Sequence, residues 1–134
     1  MRFAELTLGQ SDFFEKTVTE ADIVAFAGVS GDTNPVHLSE DYAQQTQFKT
    51  RIAHGMLGAS FLSAVFGTKL PGPGCIYLSQ TLKFKAPVKI GDTVRASVRV
   101  AELLEDKKFV RFDCTCSVGD TVVTEGEALV LVPD

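Results

Sequence analysis

From Met56 to Thr68 the chain reads Met-Leu-Gly-Ala-Ser-Phe-Leu-Ser-Ala-Val-Phe-Gly-Thr, with no charged side chain before Lys69. The spacing predicts a helix over this stretch. A helix that is apolar nearly all round must be covered nearly all round by the rest of the fold. The run Pro71-Gly72-Pro73-Gly74 then ends it, because proline cannot continue a helix and glycine permits the chain to turn. After this point the hydrophobic period changes from helical to strand-like. In Val94-Arg95-Ala96-Ser97-Val98-Arg99-Val100 the even positions are apolar, and Val110, Phe112, Cys114, Cys116 and Val118 repeat that pattern. Such alternation predicts antiparallel strands with one face buried and one face wet. Segments 76–85 and 122–132 complete the set, and Gly91-Asp92, 105–108 and Gly119-Asp120 are the connections. The expected architecture is α+β: a long central helix wrapped by a curved antiparallel sheet of about five strands.

The first third of the chain supplies shorter elements. Asp12 to Val18 reads as a strand. Thr19, with Asp22 three residues on, reads as a helix N-cap with a capping box. The helix carries Ile23, Val24, Phe26 and Ala27 and stops near Ser30-Gly31. Ser39-Glu40-Asp41 is a second helix start, with acidic residues where the helix dipole favours them. Between the two lies a run read as a loop, Asp32-Thr33-Asn34-Pro35-Val36-His37.

That loop holds the first candidate chemistry. It places a carboxylate, an amide and an imidazole close together in sequence. His37 and His54 are the two histidines of the chain, and His54 opens a second unusual run, His54-Gly55-Met56-Leu57-Gly58-Ala59. An acid/base pair beside a helix start that presents a free backbone N–H is a candidate proton-transfer site. The competing reading of Asp32-x-Asn34-Pro35 is a plain Asx turn. His54 reads as structural, bonding the loop or the backbone.

Composition excludes several classes. A chain of 134 residues with 45% apolar content is expected to form one globular domain over residues 1–134. The net charge of −4 argues against a nucleic-acid partner, which requires a basic stripe. No stretch approaches the ~20 apolar residues needed to span a bilayer, and the N-terminal residues lack the apolar core of a secretory signal. A cytoplasmic protein without a membrane partner is expected. The three cysteines, Cys75, Cys114 and Cys116, form no metal-ligand spacing, so no metal is expected; they read as small buried apolar residues.

Three segments resemble one family along essentially the whole chain. The first is Ser30-x-Asp32-x-Asn34-Pro35-x-His37. The second is Arg51-Ile52-Ala53-His54-Gly55-Met56. The third is Tyr77-Leu78-x-Gln80-x-Leu82-x-Phe84-x-x-Pro87-Val88-x-x-Gly91-Asp92. Together they resemble the MaoC-like branch of the hot-dog fold, the (R)-specific enoyl-CoA hydratases. The resemblance implies reversible addition of water to a trans-2-enoyl-CoA to give an (R)-3-hydroxyacyl-CoA. It implies that Asp32 and His37 hold the water and supply the acid and base, and that the Gly55 N–H stabilises the enolate oxygen. Asn34 then orients the loop or the water, and Ser63 is a candidate supporting hydroxyl near Asp32. Leu57, Leu62, Phe66, Tyr77, Leu78 and Val130 are candidate lining for the acyl chain, with ordinary core the competing reading. Lys83, Lys85, Lys89, Lys107 and Lys108 are candidates for the phosphates of coenzyme A. No cofactor is implied, since coenzyme A is part of the substrate. A homodimer is implied, with each site at the interface. Alternatives on the same scaffold stay open: an acyl-CoA thioesterase, a dehydratase acting on a carrier-protein-bound or branched acyl thioester, or a non-catalytic acyl-CoA binding module. A fold alone does not choose among them.

Overall fold

The computed structural model describes the chain from Met1 to Asp134. In chain order its main elements are β1 (Ser11–Thr17), α1 (Glu20–Ser30), α2 (Pro35–Leu38), α3 (Glu40–Gln44), α4 (Gly55–Thr68), β2 (Ile76–Gln80), β3 (Lys83–Phe84), β4 (Thr93–Leu104), β5 (Phe109–Val118) and β6 (Thr121–Leu131). All strand pairings are antiparallel, in the order β1-β4-β5-β6-β2, with β3 also on β6. The α+β expectation holds, with six strands in place of about five.

The alternation read in the sequence sets the buried face. Val94, Ala96, Val98 and Val100 of β4 and Val110, Phe112, Cys114 and Cys116 of β5 are all buried. Against this face lies α4, which buries Leu57, Phe61, Leu62, Val65 and Phe66. Phe66 meets Phe112 edge to face at 4.9 Å, and Phe61 meets Phe14 of β1 in the same way at 5.8 Å. Full burial of each such side chain stabilises the fold by roughly 1.5–3 kcal/mol. Burial also raises the Cys114 thiol to about 12 and the Cys116 thiol to about 11. They are inert core residues rather than nucleophiles.

Three local outcomes differ from expectation. First, the stretch 35–38 is a short helix rather than loop. Asn34 caps it through Oδ1, which accepts from Val36 N–H at 3.2 Å, and Pro35 occupies its first turn, where a missing N–H costs nothing. Second, the strand expected over 76–85 is split. Thr81 crosses β6 at Gly126 so closely that a Cβ on Gly126 would lie 1.8 Å from the Thr81 carbonyl oxygen. Third, α4 is not covered all round. Met56, Ser60, Ser63 and Gly67 form an exposed stripe along it, with small or hydroxyl side chains at three of the four positions.

The capping expectations are met. Thr19 Oγ1 accepts from Asp22 N–H at 3.1 Å and the Asp22 carboxylate accepts from Thr19 N–H at 3.0 Å. That backbone donor, with Lys16 beside it, holds the Asp22 carboxyl below its ordinary range. Gly31 closes α1 at φ +79°, a left-handed conformation that favours glycine. Ser39 Oγ accepts from Tyr42 N–H at 3.2 Å to open α3.

The crossing at Gly126 yields a test. Replacing Gly126 by Ala forces backbone against backbone, which no rotamer change relieves. Thermal or denaturant unfolding is expected to show a loss of about 3 kcal/mol, near the upper end for single substitutions.

Candidate active site

Each candidate residue sits at the end of an element. The αL glycine that ends α1 turns the chain so that Asp32 follows immediately. Ser30 Oγ accepts from Asp32 N–H at 3.1 Å and donates to Phe26 C=O at 2.7 Å. One Asp32 carboxylate oxygen, Oδ1, accepts from Asn34 N–H at 3.2 Å. The side chain of Asp32 is otherwise exposed, leaving Oδ2 open. Asn34 acts on the loop: its side-chain oxygen is committed to the α2 cap.

His37 lies on α2 and is buried. Its Nδ1 is 2.7 Å from the Ile52 carbonyl oxygen. A carbonyl only accepts, so Nδ1 carries the hydrogen, and in the uncharged ring Nε2 is the open lone pair. Behind it, the buried Arg51 donates from Nε to the His37 carbonyl at 2.7 Å and from Nη1 to Glu20 at 2.7 Å. A buried guanidinium is costly unless its donors are used. Here they tie α2 to the first turn of α1.

His54 occupies the N-cap of α4. The other main helices have side-chain caps, Thr19 for α1, Asn34 for α2 and Ser39 for α3. His54 makes no side-chain cap bond. The N–H groups of Gly55 and Met56 therefore have neither an intrahelical acceptor nor a side-chain cap. An uncapped helix N-terminus attracts negative charge. Gly55 is its first residue, and the Phe84 ring lies over it: a Cβ on Gly55 would meet two Phe84 ring carbons at 2.7 Å. Glycine is needed here for close approach.

These groups open onto one cleft of about 590 Å³, within the usual range for a small-molecule site. Asp32, His37, His54, Gly55, Phe84 and Lys85 are among its walls. Its inner surface is apolar, supplied by Val18, Phe26, Phe48, Val94 and Val123. Asp32, His37 and His54 each bring a ligand-type atom to within 4.8 Å of the others. The two imidazoles are stacked, 3.8 Å between centroids and 28° between planes. One nitrogen of each ring already meets a carbonyl.

Several expected positions fall elsewhere. Leu57, Leu62, Phe66 and Val130 are core residues beneath α4, not cleft lining. Tyr77 and Leu78 lie exposed on the edge strand β2. Ordinary core, the competing reading, holds for the four buried ones; the part of α4 that reaches the cleft is its first turn, at Gly55, Met56 and Gly58. Ser63 is eight residues beyond Gly55, about 12 Å along the axis, on the exposed stripe and away from the cleft. Of the lysines, Lys85 lines the cleft, and Lys83 and Lys89 flank the 84–88 wall. Lys107 and Lys108 sit at the β4–β5 turn, at the far end of strands whose other ends face the cleft. Lys108 pairs there with Asp134 at 3.3 Å.

Sequence reasoning missed Phe26, Phe48 and Val123 as lining, and Arg51 as the brace of His37. Arg51 stood in the quoted run before His54, where a cation amid apolar residues was a usable signal. Phe48 had none.

A helix enclosed by a curved antiparallel sheet, with an Asp/His pair at its uncapped end, defines a protein of the hot-dog class. The chain belongs to the MaoC-like domain family, whose model matches residues 6–125. It is 63% identical over 131 residues to an (R)-specific enoyl-CoA hydratase of Rhodospirillum rubrum, covering 98% of this chain and 91% of that one. It is 54% identical to a 3-hydroxybutyryl-CoA dehydratase of Methylorubrum extorquens, covering 98% and 83%. An unliganded R-hydratase of Pseudomonas aeruginosa superimposes with a TM-score of 0.95 at 46% identity, covering 99% of this chain and 86% of that one.

Gly55→Ala tests the close approach. The clash is with the tip of a side chain that is 54% exposed, so the ring swings away and the fold survives. Melting is expected to stay within about 3 °C of wild type, a change below ~1 kcal/mol. Catalytic efficiency towards an acyl thioester is expected to fall about 10²-fold, the scale of a 1 Å misplacement.

Proposed function

We propose that this protein is an (R)-specific enoyl-CoA hydratase, adding water reversibly to trans-2-enoyl-CoA. The observation that carries the reading is the pairing of two open proton acceptors, Asp32 Oδ2 and His37 Nε2, with an uncapped helix N-terminus on one cleft. The hydratase and dehydratase names of its relatives agree with it.

A water between the two acceptors donates a hydrogen to each, which turns its oxygen lone pair towards C3 of the bound enoyl group. As the C3–O bond forms, the C2=C3 electron pair moves into the thioester and charge develops on its oxygen. The Gly55 N–H and the positive end of α4 stabilise that oxygen. Loss of one such donor costs about 3–4 kcal/mol in well-studied enzymes. The acceptor that took the water proton gives it to C2, so hydrogen and hydroxyl are both added and the site returns to its starting state. The reverse sequence dehydrates. Nothing in this cycle requires a metal or a separate cofactor. The apolar inner wall suits the acyl chain, and Lys83, Lys85 and Lys89, at or beside the 84–88 wall, are the cations placed for the phosphates of coenzyme A. Three unpaired cysteines fit a reducing, cytoplasmic setting. No helix is long and apolar enough to cross a membrane.

The active unit is a homodimer. The edge strand β2 presents Ile76, Tyr77 and Leu78 at 37–52% exposure with no strand on its outer side. An apolar, unpaired edge is a template for another strand. Tyr77 packs on Phe66 of α4 at 5.0 Å, which sets this edge beside the helix. A second copy covers both the edge and the stripe that contains Ser63. Sedimentation at micromolar concentration is expected to show a dimer, and a monomer would sink this part of the reading.

The activity is tested with crotonyl-CoA. Loss of enoyl-thioester absorbance without release of free thiol is expected, with the (R) product on chiral analysis. Release of free thiol instead points to a thioesterase. Asp32→Asn and His37→Gln are each expected to lower kcat by about 10²–10⁴, the range for a positioned acid or base, with folding intact. Near-normal rates in both variants would overturn the assignment.

A further inference from the structure

We propose that His54 is a positioning residue for the Asp32–His37 pair, holding the Asp32 backbone through one ring nitrogen and the His37 ring through its face; the kinetic part of the inference rests on the hydratase reading. Three contacts meet in this one side chain, which is 3% exposed. His54 Nε2 lies 2.9 Å from the Asp32 carbonyl oxygen, so Nε2 carries the hydrogen and donates it. The ring stacks on His37 at 3.8 Å and 28°. The His54 ring also meets the Phe26 ring at 4.9 Å and 55°, so it touches a residue of α1 as well as one of α2.

The tautomer leaves Nδ1 as an acceptor, and that atom is buried with no partner. Native interiors rarely leave a buried polar atom unpaired. Phenylalanine fills a similar space without that cost, but it has no donor for Asp32. Glutamine supplies a donor at a similar reach but no ring for His37. A flat ring with a donor at its far edge meets both needs, and histidine is the compact side chain that combines them. The backbone of His54 adds a further link, since its carbonyl accepts from Leu57 N–H at 3.0 Å in the first turn of α4. Asp32, His37 and the Gly55 N–H are thus referred to one residue that need not itself exchange a proton with substrate.

The two functions separate in two variants. His54→Phe keeps a ring against His37 and removes the bond to Asp32. His54→Gln keeps a donor and removes the ring. Two measurements are made on each full-length variant: crotonyl-CoA kinetics, and amide hydrogen exchange of Asn34, Val36 and His37, with the amides of α4 as the folding control. Both variants are expected to lose about 10- to 100-fold in kcat with KM within about threefold, as for displaced catalytic groups. Exchange over 34–37 is expected to quicken at least about tenfold in His54→Phe and to stay near wild type in His54→Gln, with α4 unchanged in both. Unchanged exchange in His54→Phe overturns the proposal, whatever the rates. So does a kcat near wild type in both variants. A wild-type protein that hydrates no enoyl thioester overturns the functional reading instead, and the exchange data still decide whether His54 holds the loop.

Discussion

The contact between α4 and the concave face of the sheet is the constraint on which the rest depends. The helix buries five large or medium apolar side chains there, and β4 and β5 answer with every second residue. These residues make up most of the 23-residue core cluster. Because both partners are regular, the helix is fixed in direction as well as depth. Its N-terminus is thereby set at the end of the sheet where β4 and β6 begin and β5 ends.

What happens at that N-terminus follows from an omission. At α1, α2 and α3 a side chain closes the first turn, that of Thr19, Asn34 and Ser39. At α4 the capping position is given to a histidine whose polar edge faces the neighbouring loop. The first backbone donors stay open, glycine removes the Cβ that would block them, and the loop from α1 brings a carboxylate and an imidazole to the same opening. Stability and chemistry thus draw on opposite ends of one helix surface: its sides are packed and its tip is left unsatisfied.

The fold was legible where periodicity was strong. The charge-free run at 56–68 and the alternation at 94–100 and 110–118 each admit one reading, and the structure follows them. Capping chemistry at Thr19 and Ser39 was legible for the same local reason. The short α2 was not, since an Asx turn and a one-turn helix share the signal Asn-Pro. The split of the 76–85 strand was hidden because its cause, Gly126, lies some forty residues away in sequence. For the site, the Asp/His loop and the glycine at the helix start stood out by residue type and spacing. The walls of the cleft did not. Whether Leu62 or Phe48 faces a ligand depends on which flank of the helix stays open, and apolar pattern alone is silent on that. Hence four of the expected lining residues lie in the core and two on the exposed β2 edge, and the lysines of the β4–β5 turn lie about 27 Å from those near the cleft at ~3.3 Å per residue along the strands.

The Phe84 ring over Gly55 bears on the timing of catalysis. It belongs to a two-residue strand that is anchored to β6 by backbone bonds, so the main chain beneath it is held while the side chain is half free. Uncovering the helix tip therefore takes a rotation about side-chain bonds, a picosecond-to-nanosecond event in exposed residues. No loop must open and no domain must swing. A ring rotation of that kind is fast beside a typical turnover of ~10 per second, so freeing the space over Gly55 needs no slow gate.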